Sequence, residues 1–315
     1  MGIKDDVSGD YMSDNEHFAD AFNHYIYGGE KVIKPEDLTP ANTSEIAIIK
    51  GLEKLITTKR TRDVFKHVNI KQGDTATYVL LGIENQSLIH YAMPVKNLLY
   101  DALNYTEQVR NEEKELKKNG KKMDSAEYLS GFSKDSKIYP VITLVLNWSN
   151  KRWNGPRKLS DMFSDIDPRI LEHINDYELK ILDPHDIEDF SKFSTMLGDV
   201  LEFIKYQDDE EYLERTLKEK GEDWTLDIDS VNAINTFTDA KISIKEAEEG
   251  FVKMCRATEV YVERGIEKGI EKGTDTINTL NQILIEAGRM DDLKRATSDK
   301  DYQNKLIAEL INKEN

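Results

Sequence analysis

The spacing of apolar positions changes several times along the chain, and each change marks an element. From Asp14 to Tyr27, Phe18, Phe22, Tyr25 and Ile26 recur at helical spacing; Ser13 or Asp14 can cap the start and Gly28-Gly29 ends the run. After Pro35 and Pro40, Val64 to Ile70 and Ala76 to Ile83 read as strands separated by the turn-type cluster Lys71-Gln-Gly-Asp74, which predicts a hairpin. Val95, Leu98, Leu99, Ala102 and Leu103 give the stretch from Tyr91 to Tyr105 the pattern of an amphipathic helix. Tyr139 to Trp148 is almost wholly apolar, as expected of a strand covered on both faces. Strand, strand, helix, strand predicts a mixed α/β sheet.

Beyond Trp153-Asn-Gly-Pro156 the pattern turns acidic and helical, with helix-like spacing in Ser194 to Tyr206 and in Ile244 to Val262. The expected division is a core at 1–160, a helical accessory region packed on it at 161–262, and a connector with C-terminal helices at 263–315. The connector contains the repeat Gly265-Ile-Glu-Lys-Gly-Ile-Glu-Lys-Gly273. A four-residue period on a helix stacks the glycines in one ridge, and each glycine weakens the helix by about 1 kcal/mol. The repeat therefore reads as a marginal connector to helices at Thr276 to Ala287 and Tyr302 to Leu310; self-association along the glycine ridge is the other reading.

Composition narrows the class. With 315 residues and 38% hydrophobic content the chain can bury a substantial core. Its apolar runs are far shorter than the ~20 residues that span a bilayer, and its first residues are polar, so neither a membrane segment nor a signal peptide is expected. The lone Cys255 cannot form an intramolecular disulfide or a cysteine zinc site, which suits a reducing cytoplasm. A net charge of −17 argues against nucleic acid until its distribution is considered. Residues 45–160 hold 20 Lys/Arg against 13 Asp/Glu, between acidic flanks. A basic middle of this kind suits a nucleic-acid-facing core, although a mixed surface can also produce it. Within it, Lys117, Lys118, Lys121 and Lys122 are candidate phosphate contacts, or else part of a solvated helix extension.

Asp63 stands just before the first hairpin strand, and Glu84 and Gln86 end the second. In such a hairpin the start of one strand lies beside the end of the next, so Asp63 and Glu84 can converge, and Gln86, two residues on, points to the same face as Glu84. Two carboxylates at a sheet end form a hard-oxygen site suited to Mg²⁺. The plain alternative is a pair of solvated turn residues. Against it, Glu84 follows six largely apolar positions, where a charge needs a partner. Asp20, on the first helix, is a further acid, expected at the surface. The six histidines show no His-x-x-x-His spacing, and the glycines no phosphate-loop spacing, so neither a zinc enzyme nor a nucleotide cofactor is indicated.

The blocks Arg62-Asp63, Leu81-Gly-Ile-Glu-Asn-Gln-Ser87, Ile89 to Tyr105, Pro140 to Leu146 and Trp153-Asn-Gly-Pro-Arg-Lys-Leu159 resemble the bacterial PD-(D/E)xK nuclease family transposases, the recombination-promoting nuclease group. The resemblance runs from about Asp6 to Tyr206. It implies a PD-(D/E)xK restriction-endonuclease-like mixed-sheet core with a helical C-terminal region. It also implies a Mg²⁺-dependent (or Mn²⁺-dependent) DNA endonuclease that promotes recombination or DNA mobility, with Asp63 and Glu84 as metal ligands. Gln86 occupies the place where the superfamily more often has lysine, and Glu-x-Gln is usual within this family. Glutamine can orient a water but carries no charge. Lys96 stands where relatives carry a basic residue, and compensates or contacts phosphate. A catalytically weak nuclease fold that regulates through DNA or protein binding is the alternative. Cutting both strands would favour a homodimer.

Overall fold

The computed structural model of the chain describes residues 2–41, 44–45, 60–61, 63–72, 75–120, 122–221, 224–238, 240–245, 247–254, 270 and 273–311. The N-terminal part opens with α1 (Ile3–Ser13) and α2 (Asn15–Tyr27). The Asp14 side chain between them accepts from the Glu16 and His17 N–H groups and so starts α2, which ends at Gly28 in the left-handed region, φ 63°. Gly29 is required for a second reason: with φ 100°, a Cβ there would also lie 2.7 Å from the Lys192 carbonyl oxygen.

Strands β1 (Leu38–Pro40), β4 (Val64–Gln72), β5 (Thr75–Gln86), β6 (Val141–Asn147) and β7 (Lys180–Leu182) form one sheet in that order, while β2 (Ser44–Glu45) and β3 (Arg60–Thr61) form a separate short ribbon. The first three are antiparallel, and β6 and β7 join in parallel. The predicted hairpin forms with Val64 opposite Ile83, and its second strand runs on to include Glu84 and Gln86. The parallel β5–β6 step needs a long crossover, and α3 (Met93–Lys118) supplies most of it, followed by α4 (Ser125–Ser130).

The pleat gives the sheet two distinct faces. One carries Val64, Val68, Leu81, Ile83, Leu144 and Leu146 and packs under α1 and α2, where Met12, Phe18 and Phe22 are fully buried. The other carries Glu84, Thr143 and Val145 and lies under α3. Both faces are covered around Leu80 to Asn85, which explains the nearly unbroken apolar run of β5.

The C-terminal half departs from the expected division at residue 160. After β6 the chain passes through the single helical turn α5 (Pro168–Leu171) and adds β7 to the sheet, so this stretch is mostly irregular and belongs to the core. Three-residue strands leave too little alternation to read. Helices α6 (Leu197–Tyr206), α7 (Glu210–Lys220) and α8 (Ile228–Phe237) follow. Two compact units result: Met1–Asp209 with Thr225–Val252, and Glu210–Trp224 with Lys253–Asn315. The helix expected from Ile244 is absent over its described first part, where Phe251–Lys253 is a strand. The second unit contains α9 (described over residues 273–286), α10 (Met290–Ala296) and α11 (Lys300–Leu310), packed around Leu280, Leu284, Ala296 and Leu306. Cys255 and nearly all of the Gly-Ile-Glu-Lys repeat lie outside the described residues. No described helix is long and apolar enough to cross a membrane.

Candidate active site

Glu84 lies near the end of β5 on the face beneath α3, and it is fully buried. A buried carboxylate demands charge or hydrogen bonds. Lys96, from the first turn of α3, places Nζ 2.7 Å from Glu84 Oε2, with its own side chain 23% exposed. Two features bring it there. The chain turns over 87–92 after β5, and Pro94 fits the first turn of α3, which begins at Met93. The Lys96 ammonium also lies 5.6 Å from the centre of the Tyr100 ring, one helical turn on.

Asp63 arrives through the hairpin. It precedes Val64, which pairs with Ile83, so it falls beside Glu84. Its Oδ2 accepts the Asn85 backbone N–H at 2.7 Å, one peptide from Glu84. The residue keeps an exposed side, yet protein packed around its carboxyl raises the pKa above the ordinary range; the Asn85 N–H and the Lys96 charge oppose the shift, and the Asp5 carboxylate on α1 adds to it. Asp5 is thus a third acid near the site. Its sequence signal was slight, because Ile3 to Ser13 lacks a clear apolar stripe.

Gln86 is half-buried on the same strand face as Glu84, and its Nε2 donates to the Asn85 carbonyl at 2.8 Å. Asn85 points to the opposite face, where its Oδ1 accepts the Trp148 indole N–H at 2.8 Å. Trp148 in turn donates its backbone N–H to the Gln86 carbonyl at 2.9 Å, so the strand end carrying the site is pinned from both sides.

The four predicted site residues Asp63, Glu84, Gln86 and Lys96 therefore meet at one sheet end. The lysine cluster does not join them. Lys117 and Lys118 end α3, about 30 Å from Lys96 at 1.5 Å per residue, and pair with Glu113 and Glu115. Lys122 is exposed beyond them, and Lys121 lies outside the described residues. Asp20, expected at the surface, is 2% exposed. Its carboxylate accepts from the backbone N–H and hydroxyl groups of Ser194 and Thr195, tying α2 to the approach of α6. Such a role leaves no trace in local sequence.

Further along α3, Asp101 accepts from the Thr143 hydroxyl at 2.7 Å and the Tyr177 hydroxyl at 2.6 Å, and Asn97 is fully buried. Polar side chains thus continue under the helix beyond the site. Among the described residues, no three His, Cys, Asp or Glu side chains gather as a metal cage.

A five-stranded mixed sheet with helices is the fold the sequence resemblance implies. Residues 53–219, more than half of the chain, match the family described as "Putative transposase, YhgA-like", and the chain belongs to that family. No curated protein and no solved structure matches it.

Proposed function

We propose that the chain is a Mg²⁺-dependent DNA endonuclease promoting recombination or DNA mobility, in which Asp63 and Glu84 hold the metal and Gln86 positions water. The observation that carries this reading is the convergence of Asp63, Glu84 and Gln86 at one strand end with Lys96 bonded to Glu84. The donor set fits: Mg²⁺ is typically held by one or two carboxylates and completes its shell with water and phosphate oxygens. When bound, the ion supplies positive charge to a phosphate and acidifies a water.

The chain's own residues divide the remaining work. Glu84, within the sheet, and Asp63, held by the Asn85 N–H, stand at adjacent register positions from which both would hold the ion. Gln86 holds its amide against the strand, leaving its carbonyl oxygen as an acceptor that orients a water without taking its proton. Lys96 brings from α3 the positive charge that position 86 lacks. It balances Glu84 and lies where a phosphate oxygen competes for it. DNA is the expected partner.

A second reading, a weak or inactive nuclease fold acting as a regulator, is favoured by the same ion pair, because Lys96 already neutralises Glu84. Thermal melts with Mg²⁺ or Mn²⁺, beside plasmid cleavage, separate the two. Binding should stabilise the fold by about 1.4 kcal/mol at tenfold excess over Kd. Glu84→Ala and Asp63→Ala should lose both this gain and cleavage, whereas Gln86→Ala should keep the gain and lose mainly rate. A wild type that neither responds to the ions nor cuts DNA excludes the enzymatic reading. If Glu84→Ala cuts as well as wild type, the site is elsewhere.

A further inference from the structure

The turn between β5 and α3 exposes large apolar side chains without being loose. Leu88 is 79% exposed and Tyr91 63%, and the stripe continues on α3 with Val95 and Leu98 at 46% and 38%. Val95 and Leu98, three residues apart on α3, share one side of that helix. Between them the chain is anchored. Ile89 and the fully buried Met93 pack with Val145, Trp153, Leu179 and Ile181, and the Met93 N–H donates to the His90 carbonyl at 3.0 Å. Gly155 lies so close beneath that a Cβ there would be 3.0 Å from the Ile89 side chain. Leu88 and Tyr91 are therefore held outward by a fixed backbone, and exposed apolar clusters of this kind mark contact surfaces.

Charge indicates the kind of partner. In a chain with 60 Asp and Glu residues, none occurs between Glu84 and Asp101, while His90 and Lys96 do. A segment with no acid of its own, bearing an exposed aromatic ring and leucine and followed by a partly exposed lysine that reaches Glu84, matches the two parts of a nucleic acid strand. Base faces stack on the apolar groups and phosphate meets the cation.

We propose that Leu88 and Tyr91 form a base-stacking platform, making single-stranded or unpaired DNA beside the cleavage point the preferred substrate over regular duplex. This inference rests on the nuclease reading above. It is tested with the full chain in EDTA, by titrating a single-stranded oligonucleotide containing 2-aminopurine and the matching duplex, with sedimentation of each variant in parallel. The wild type should bind the single strand more tightly than the duplex and quench the probe. Tyr91→Ala should weaken single-strand binding by roughly 5- to 100-fold and lose the quenching, Leu88→Ala should weaken it less, and Tyr91→Trp should restore both. An unchanged melting temperature verifies that these exposed positions leave the fold intact. A wild type that cuts DNA while Tyr91→Ala and Leu88→Ala bind the single strand unchanged overturns the platform and leaves the nuclease reading standing. Preference for duplex by the wild type overturns it equally. If the variants instead convert a dimer to monomers, the stripe is an interface between copies and the proposal is wrong. A wild type that neither binds nor cuts any DNA removes both readings.

Discussion

The two faces of the central sheet are built from the same strands, yet they serve different ends. Beneath α1 and α2, Leu81, Ile83, Leu144 and Leu146 meet Met12, Phe18 and Phe22 in a dry layer. Beneath α3, the same strands present Glu84, Thr143 and Gln86 to Lys96, Asp101 and Tyr177. Period-two alternation lets one sequence pack an apolar layer on one side and gather polar and charged groups on the other. The dry face has one charged intruder. Lys66 is 4% exposed, with Nζ 2.6 Å from the Ser13 carbonyl and 2.7 Å from Asn15 Oδ1, above the Phe18 ring. Among the described residues no carboxylate hydrogen-bonds it; burial, opposed by the Asp14 charge, pushes its pKa down to about 8.

The largest expected effect lies on the dry side. Leu144→Ala should lower unfolding free energy by about 2–5 kcal/mol, through lost transfer energy and a cavity, with no direct effect on metal binding. Urea denaturation with Mg²⁺ titration of the folded variant measures both; an altered Mg²⁺ affinity would couple the faces.

Lys66 gives the next effect. Its folded pKa lies below that of the unfolded chain, so the unfolded state holds the extra proton between about pH 8 and 10.5, and stability rises across that window. The full rise is about 3 kcal/mol. Lys66→Met should flatten it. Melts of both proteins from pH 7.5 to 9.5 test this, and parallel curves would show that Lys66 does not titrate there.

Much of this division is legible in the sequence, and the exceptions have physical causes. Alternation and turn residues locate β4 and β5, and hairpin register alone brings Asp63 beside Glu84. The apolar run at Tyr139 to Trp148 announces β6. Lys96 at Glu84 depends on the turn at 87–92, which spacing does not specify. Helix α1 is hidden because it buries Ser8, whose hydroxyl is satisfied by the Lys4 carbonyl, as well as Tyr11 and Met12. The burial of Lys66 depends on the helices above it, which supply its acceptors and which strand spacing does not reveal.

The smallest expected effect lies on the polar face. Burial raises the Asp63 pKa, so the folded state binds its proton more tightly and stability falls as pH rises through the unfolded and then the folded value. Asp63→Asn should therefore melt higher than wild type at pH 7 while losing cleavage, with the gap closing as pH drops below the ordinary carboxylate range. A variant that melts lower at pH 7 would show that the charge is favourable in place.

The hairpin also sets an order of assembly. Closing the chain from Asp63 to Glu84 spans a loop about one third as long as that from Glu84 to Val145, and so costs about 1 kcal/mol less in chain entropy. Contacts between near neighbours in sequence also form sooner. The two carboxylates thus meet while β6 and Trp148 are still unplaced. Their repulsion is then screened by water, and the lysine and the apolar roof close over a pair already made.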